Sequence, residues 1–159
     1  MLLLTILLFS GCKKHEPIKP KTVFDAYFTL LYNETQIKGE MSVKLDKTVE
    51  IEVTSPDTLK NMKISAKKGS FSVGYKGITV SYTQEELPDG VFYKLILLAF
   101  KNVLSVDKLE FKPVGEKYQA TKPSLLGEIK ITLNKDCYIE RIEIPKQSFN
   151  LKLKVKNPS

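Results

Sequence analysis

The chain has 159 residues, 25 basic and 18 acidic side chains, and a formal net charge of +7. Only Arg141 is an arginine, and the lysines are scattered without a basic cluster in the body of the chain. This speaks against a nucleic-acid binder, which uses arginine forks for phosphates and base edges. Two cysteines and one histidine are too few for a disulfide scaffold or a histidine-based centre.

Met1 to Gly11 is uncharged and holds Leu2, Leu3, Leu4, Ile6, Leu7, Leu8 and Phe9. About ten apolar residues cannot cross a bilayer, which needs roughly 20. They suit the hydrophobic region of a secretory signal peptide. Ser10-Gly11-Cys12 then places two small residues before a cysteine. The pattern resembles the lipobox of bacterial lipoproteins: small side chains admit a peptidase, and only a sulfur nucleophile accepts the lipid. Residues 1–11 are therefore expected to be a signal peptide, and Cys12 the lipidated, palmitate-type anchor on the extracytoplasmic face of the cell membrane.

Residues 12–23 form a basic tether, with Lys13, Lys14, Lys19 and Lys21 against Glu16. Pro17 and Pro20 keep it extended. Lysines this close to a bilayer gain about 1 kcal/mol each from anionic headgroups. Residues 24–156 make up one domain, large enough to hold its own core.

From residue 25 the apolar positions alternate with a period of two, the mark of half-buried strands. Phe28, Leu30 and Tyr32 open the series, followed by Met41, Val43 and Leu45, and then by Val49, Ile51 and Val53. The SPDTL stretch ends the third strand, because Pro56 cannot donate to a central ladder. Three short strands follow, carrying Met62, Ile64 and Ala66; Phe71, Val73 and Tyr75; and Ile78, Val80 and Tyr82. Gly69 and Gly77 mark the turns between them. The rhythm changes at VFYKLILLAFKNVL, residues 91–104, which predicts a helix behind the Asp89-Gly90 cap region. Its apolar stripe is too wide for a surface helix, so it is expected to be buried on most sides.

Strands resume with Leu109 and Phe111; Tyr118 and Ala120; Ile129, Ile131 and Leu133; and Tyr138, Ile142 and Ile144. LNKDCY reads as a hairpin turn, with Cys137 half-packed beside it. FNLKLKVK closes the series, its Phe149, Leu151, Leu153 and Val155 facing away from three lysines. The expected fold is mainly β (α+β). It is a strongly curved antiparallel half-barrel of about ten or eleven strands around one buried helix.

The strand series broken at SP-x-x-L, the apolar helix after LPDG, and GEIKITLNKDCYIERIEI before a closing strand resemble the LolA/LolB-type lipoprotein-carrier superfamily. The resemblance covers roughly residues 24–156. It implies a half-open β-barrel whose concave face, lidded by helix, receives acyl chains. Lysine, isoleucine and asparagine richness suggests a Gram-positive-type membrane lipoprotein. Spore-associated Firmicute relatives, one acting with a cortex-processing amidase, imply an alternative setting. Arg141, beside Glu140 and Glu143, is expected in a surface ion pair rather than on a ligand.

No catalytic pattern emerges. His15 lies in the tether, and neither metal-ligand spacing nor a phosphate loop occurs. Glu50 and Glu52 share a strand face and read as a charge ladder with lysines on neighbouring strands. Glu85-Glu86 reads as a solvated corner. The chain is expected to be non-enzymatic, without cofactor or metal. Two functions are compatible with it. In the first, the half-barrel binds a lipid or other hydrophobic ligand along Val49, Ile51, Val53, Ile64, Phe71, Val73, Phe92 and Leu95. In the second, the lipoprotein holds or activates a cell-envelope protein through its sheet.

Overall fold

The computed structural model describes residues 17–67, 69–83, 85–87, 91–104 and 109–156. Cys12, the apolar run before it, the first part of the tether and the Asp89-Gly90 cap lie outside these residues. Six strands come first: β1 (Phe24–Tyr32), β2 (Thr35–Val43), β3 (Val49–Ser55), β4 (Lys63–Lys67), β5 (Ser70–Tyr75) and β6 (Ile78–Thr83). The helix α1 (Phe92–Leu104) separates them from five more. These are β7 (Lys112–Val114), β8 (Lys117–Ser124), β9 (Gly127–Leu133), β10 (Ile139–Ile144) and β11 (Phe149–Val155).

All eleven strands belong to one antiparallel sheet in the order β6-β5-β4-β3-β2-β1-β11-β10-β9-β8-β7. The first and last strands meet in the middle, and the two strands flanking α1 are the open edges. The sheet is therefore a half-barrel that does not close. Residues of its inner face pair from strand to strand. Tyr82, Phe71, Ala66, Val49, Val43 and Phe24 stand opposite one another from β6 to β1. Lys44 and Lys63 pair with Glu50 and Glu52 on the outer face, at 2.6 and 3.7 Å, forming the expected charge ladder.

Curvature has a local cause at Gly39, where the β2–β3 register shifts. The Phe28 ring from β1 lies where a side chain would stand. A Cβ on Gly39 would come within 2.6 Å of that ring and overlap the Glu52 carbonyl oxygen. A strand glycine covered by an aromatic neighbour lets the sheet bend without leaving a void.

Helix α1 fills the concave side. Ile96, Ala99, Phe100 and Val103 are wholly buried, and Phe100 packs 6.3 Å from Phe24 of β1. Phe24 in turn meets the Tyr138 ring edge-on at 6.4 Å. The core is drawn from Phe24 to Leu153, with Ile18 packed against it, so the described domain supplies its own interior.

Several strand positions depart from the sequence expectation: Met62, Leu109, Phe111 and Tyr138 lie just before β4, β7 and β10, and three others are exposed. Leu45 lies beyond β2 on the following turn and is 87% exposed. Ile78 and Val80 of β6 are 69% and 43% exposed, and only Tyr82 of that strand packs on the core. The reason is positional: β6 is an edge, so its outlying residues face no further strand.

Because every link between paired strands is a hairpin, alternate turns fall at opposite ends of the half-barrel. The start of β1, the turns after β2, β4, β7 and β9, and the end of β11 share one end. The tether enters there and is docked. The Lys21 backbone N–H donates to the Cys137 carbonyl at 2.8 Å, and its ammonium sits 4.6 Å from the centre of the Tyr138 ring. Eight residues separate Lys21 from Cys12, a span of about 30 Å at full extension.

Candidate ligand cleft under the helix

Along α1, Lys94, Leu97, Leu98, Lys101 and Leu104 recur at helical spacing and share one face. That face does not touch the sheet everywhere. Between it and β3–β5 lies a cleft of about 290 Å³, lined by Val49, Ala66, Phe71, Leu87 and these helix residues together with Phe100. Lys47 on the turn after β2, with Lys67 and Gly69 at the turn after β4, completes the lining. Those turns lie at the same end of the half-barrel as the start of β1.

The lining is apolar with a lysine rim. It holds four lysines and no carboxylate among the described residues. Lys94 donates to the Leu87 carbonyl at 2.7 Å, fixing the segment before the helix. Lys67 pairs with Asp46 at 3.3 Å. Thr48, whose backbone N–H donates to the carboxylate at 3.0 Å, and then Lys67 hold the Asp46 carboxyl down at about 2. Burial pushes the Tyr93 phenol up, and Tyr82 adds to this.

A second concavity, about 520 Å³, lies on the outer face among Glu40, Glu50, Glu52, Lys63 and Lys156. It is larger but chemically different. Its charges pair with one another or with neighbours, as Lys156 does with Glu40 at 2.6 Å, and Lys156 is held charged by that bond. A hydrophobic ligand gains little there, and the cleft under α1 is the better candidate site.

Of the residues expected to line a ligand site, Val49 and Phe71 do line this cleft. Ile51, Val53 and Ile64 are buried in the core farther along the sheet, as are Phe92 and Leu95 on the helix, and Val73 is partly buried beside them. Sequence reasoning missed Ala66, Leu87, Leu97, Leu98, Leu104 and the four lysines. One signal was available. The two lysines of an otherwise greasy helix lie seven residues apart and mark the face that reaches solvent. Arg141 stands 3.9 Å from Glu143, in the surface pair expected of it. Among the described residues no group of His, Cys, Asp and Glu is placed to hold a metal ion.

No family model and no curated protein sequence matches the chain. Among solved structures it is similar to an uncharacterized conserved protein from Thermus thermophilus. That match has 14% identity over 87% of this chain and 81% of the other, with a TM-score of 0.54. The likeness is one of fold. A LolA superfamily protein from Nitrosomonas europaea is also similar, at 8% identity over 88% and 87% of the two chains and a TM-score of 0.44.

Proposed function

We propose that this chain is a membrane-anchored, non-enzymatic lipoprotein whose half-barrel binds a lipid or other hydrophobic ligand beneath α1. The supporting observation is the cleft itself, an apolar space bounded by Val49, Phe71, Leu97 and Leu104 between the helix and the sheet. Burying a ligand's apolar surface there yields about 25 cal/mol per Å². The LolA/LolB-type resemblance, carried by the order of strands and helix, points to the same use. In this reading Cys12 carries the lipid, the basic tether lies against anionic headgroups, and the domain works at the extracytoplasmic face. Two acyl chains with a basic segment hold a protein stably where one chain does not.

Native mass spectrometry of the chain from Cys12 onward, bearing Cys12→Ser and purified without detergent, tests the ligand. A co-purifying mass of acyl-chain size supports the reading. A bare mass that stays bare after exposure to acyl compounds refutes it. In cells, Cys12→Ser should move the protein from the membrane to the soluble fraction, and full membrane retention would refute the anchor.

A second reading, a lipoprotein that holds or activates a cell-envelope protein, is favoured by β6. Ile-Thr-Val-Ser-Tyr-Thr is a six-residue sheet edge with neither charge nor proline, and Ile78 and Val80 are exposed on it. The opposite edge, β7, is three residues long and interrupted by Pro113. An unguarded edge can accept an extended segment of a partner. Crosslinking from residue 79 in cells, with recovery of one envelope protein, would support this reading.

A further inference from the structure

We infer that the ligand is a single-chain anionic amphiphile, with its tail under α1 and its acidic headgroup held at the mouth by Lys47, Lys67 and Lys101. The inference rests on the proposed ligand-binding reading and adds the chemistry of the headgroup. Three observations carry it.

The lining is the first. Four lysines line the cleft beside Leu87, Leu97, Leu98 and Leu104, with no carboxylate in that lining, although Lys67 also reaches Asp46 outside it. Lys47, Lys67 and Lys101 are exposed at the mouth, where clustered positive charge favours an anionic group over a neutral or cationic one. Carboxylate and phosphate headgroups share this chemistry. The second is volume: about 290 Å³ lies at the floor of the ~300–1,000 Å³ range of small-molecule sites. It suits one chain rather than the two of a diacyl lipid.

Placement is the third observation. Lys47 and Lys67 lie on turns at the end of the half-barrel where the tether enters. The headgroup site and the entry of the N-terminal segment thus share an end, and in the anchored reading that end lies within about 30 Å of Cys12. A tail can enter from that side while its headgroup stays at the rim.

Displacement of a neutral apolar fluorophore, N-phenyl-1-naphthylamine, tests this on the chain from Cys12 onward with Cys12→Ser. Dodecanoate, dodecyl phosphate, dodecanol and dodecylammonium serve as competitors of equal chain length. The two acidic compounds should displace the fluorophore at about tenfold lower concentration than the alcohol, from half-exposed charged hydrogen bonds. Added salt should shrink that preference. A Lys47→Gln, Lys67→Gln, Lys101→Gln chain should lose the preference while still binding the fluorophore, which also shows that it folds.

Equal displacement by acid and alcohol in the unaltered rim overturns the headgroup inference and leaves the hydrophobic site standing. Preference for dodecylammonium overturns it as well, as does an acid preference that survives the triple substitution. If neither the fluorophore nor any competitor binds, the ligand-binding reading falls, and this inference with it.

Discussion

If the space beneath α1 is a built cleft, filling it with protein should stabilise the fold while removing the ligand. Ala66 is the place to do this. It lies on β4 between Val49 and Phe71, lines the cleft and is partly buried. Ala66→Leu adds three carbons, whose burial yields up to about 2.4 kcal/mol at about 0.8 kcal/mol per methylene. Ordering the leucine side chain costs about 0.5–1 kcal/mol. The mouth remains partly solvated, so the net gain should be about 1 kcal/mol. With a slope of about 2 kcal/mol per molar, the urea midpoint should rise by about 0.5 M. Fluorophore affinity should fall at least tenfold in the same protein, because the leucine occupies the tail site. A loss of about 1–3 kcal/mol, the usual result of overfilling a packed core, would refute the reasoning. So would a stabilised protein that binds as before.

Two other substitutions probe the frame around the cleft. Gly39→Ala should destabilise the domain by more than about 2 kcal/mol, because the new Cβ meets both the Phe28 ring and the Glu52 carbonyl oxygen. A chemical-denaturation midpoint within error of the parent would show that β2 can move aside. Thr48 and Lys67 hold the Asp46 carboxyl down from its ordinary 3.8 to about 2, so its contribution is present above about pH 4 and is lost as pH falls toward 2. The stability difference between the parent and Asp46→Asn should therefore shrink steadily from pH 5 to pH 2. A difference that stays constant with pH would show that the Thr48 and Lys67 contacts do not matter to folding.

The tether docking bears on how such a protein would work. Lys21 packs on Tyr138, Tyr138 on Phe24, and Phe24 on Phe100, which lines the cleft. One continuous set of side-chain contacts thus joins the point where the N-terminal segment enters the domain to the wall of the cleft. On the other side of the cleft, Lys94 ties the segment at Leu87 to the helix.

Local rules made much of this protein legible in its sequence. Strands such as Phe149–Val155 and Val49–Ser55 announce themselves because alternate side chains of a pleated strand face opposite sides. The width of the apolar stripe on α1 told of burial, and the Glu50 and Glu52 ladder followed from the same alternation. The Asn134–Tyr138 turn is equally local: the Asn134 carboxamide oxygen accepts from the N–H groups of Asp136 and Tyr138, each at 3.0 Å. The lipobox reading at Cys12 likewise depends on neighbouring residues alone.

Only the tertiary structure decided what these elements do together. Which strands would be edges could not be read, so Ile78 and Val80 looked like core although no further strand covers them. Val49 and Phe71 were recognisable as inward-facing, but not as cleft walls distinct from the filled positions Ile51 and Ile64. That distinction depends on where a helix inserted between two distant edges comes to rest. The lysine rim is further from sequence still: Lys47, Lys67, Lys94 and Lys101 are spread over 55 positions and three elements. A period of two or of 3.6 reports which side of its own element a residue faces. Only the packing of one element against another reports whether that side is filled or open.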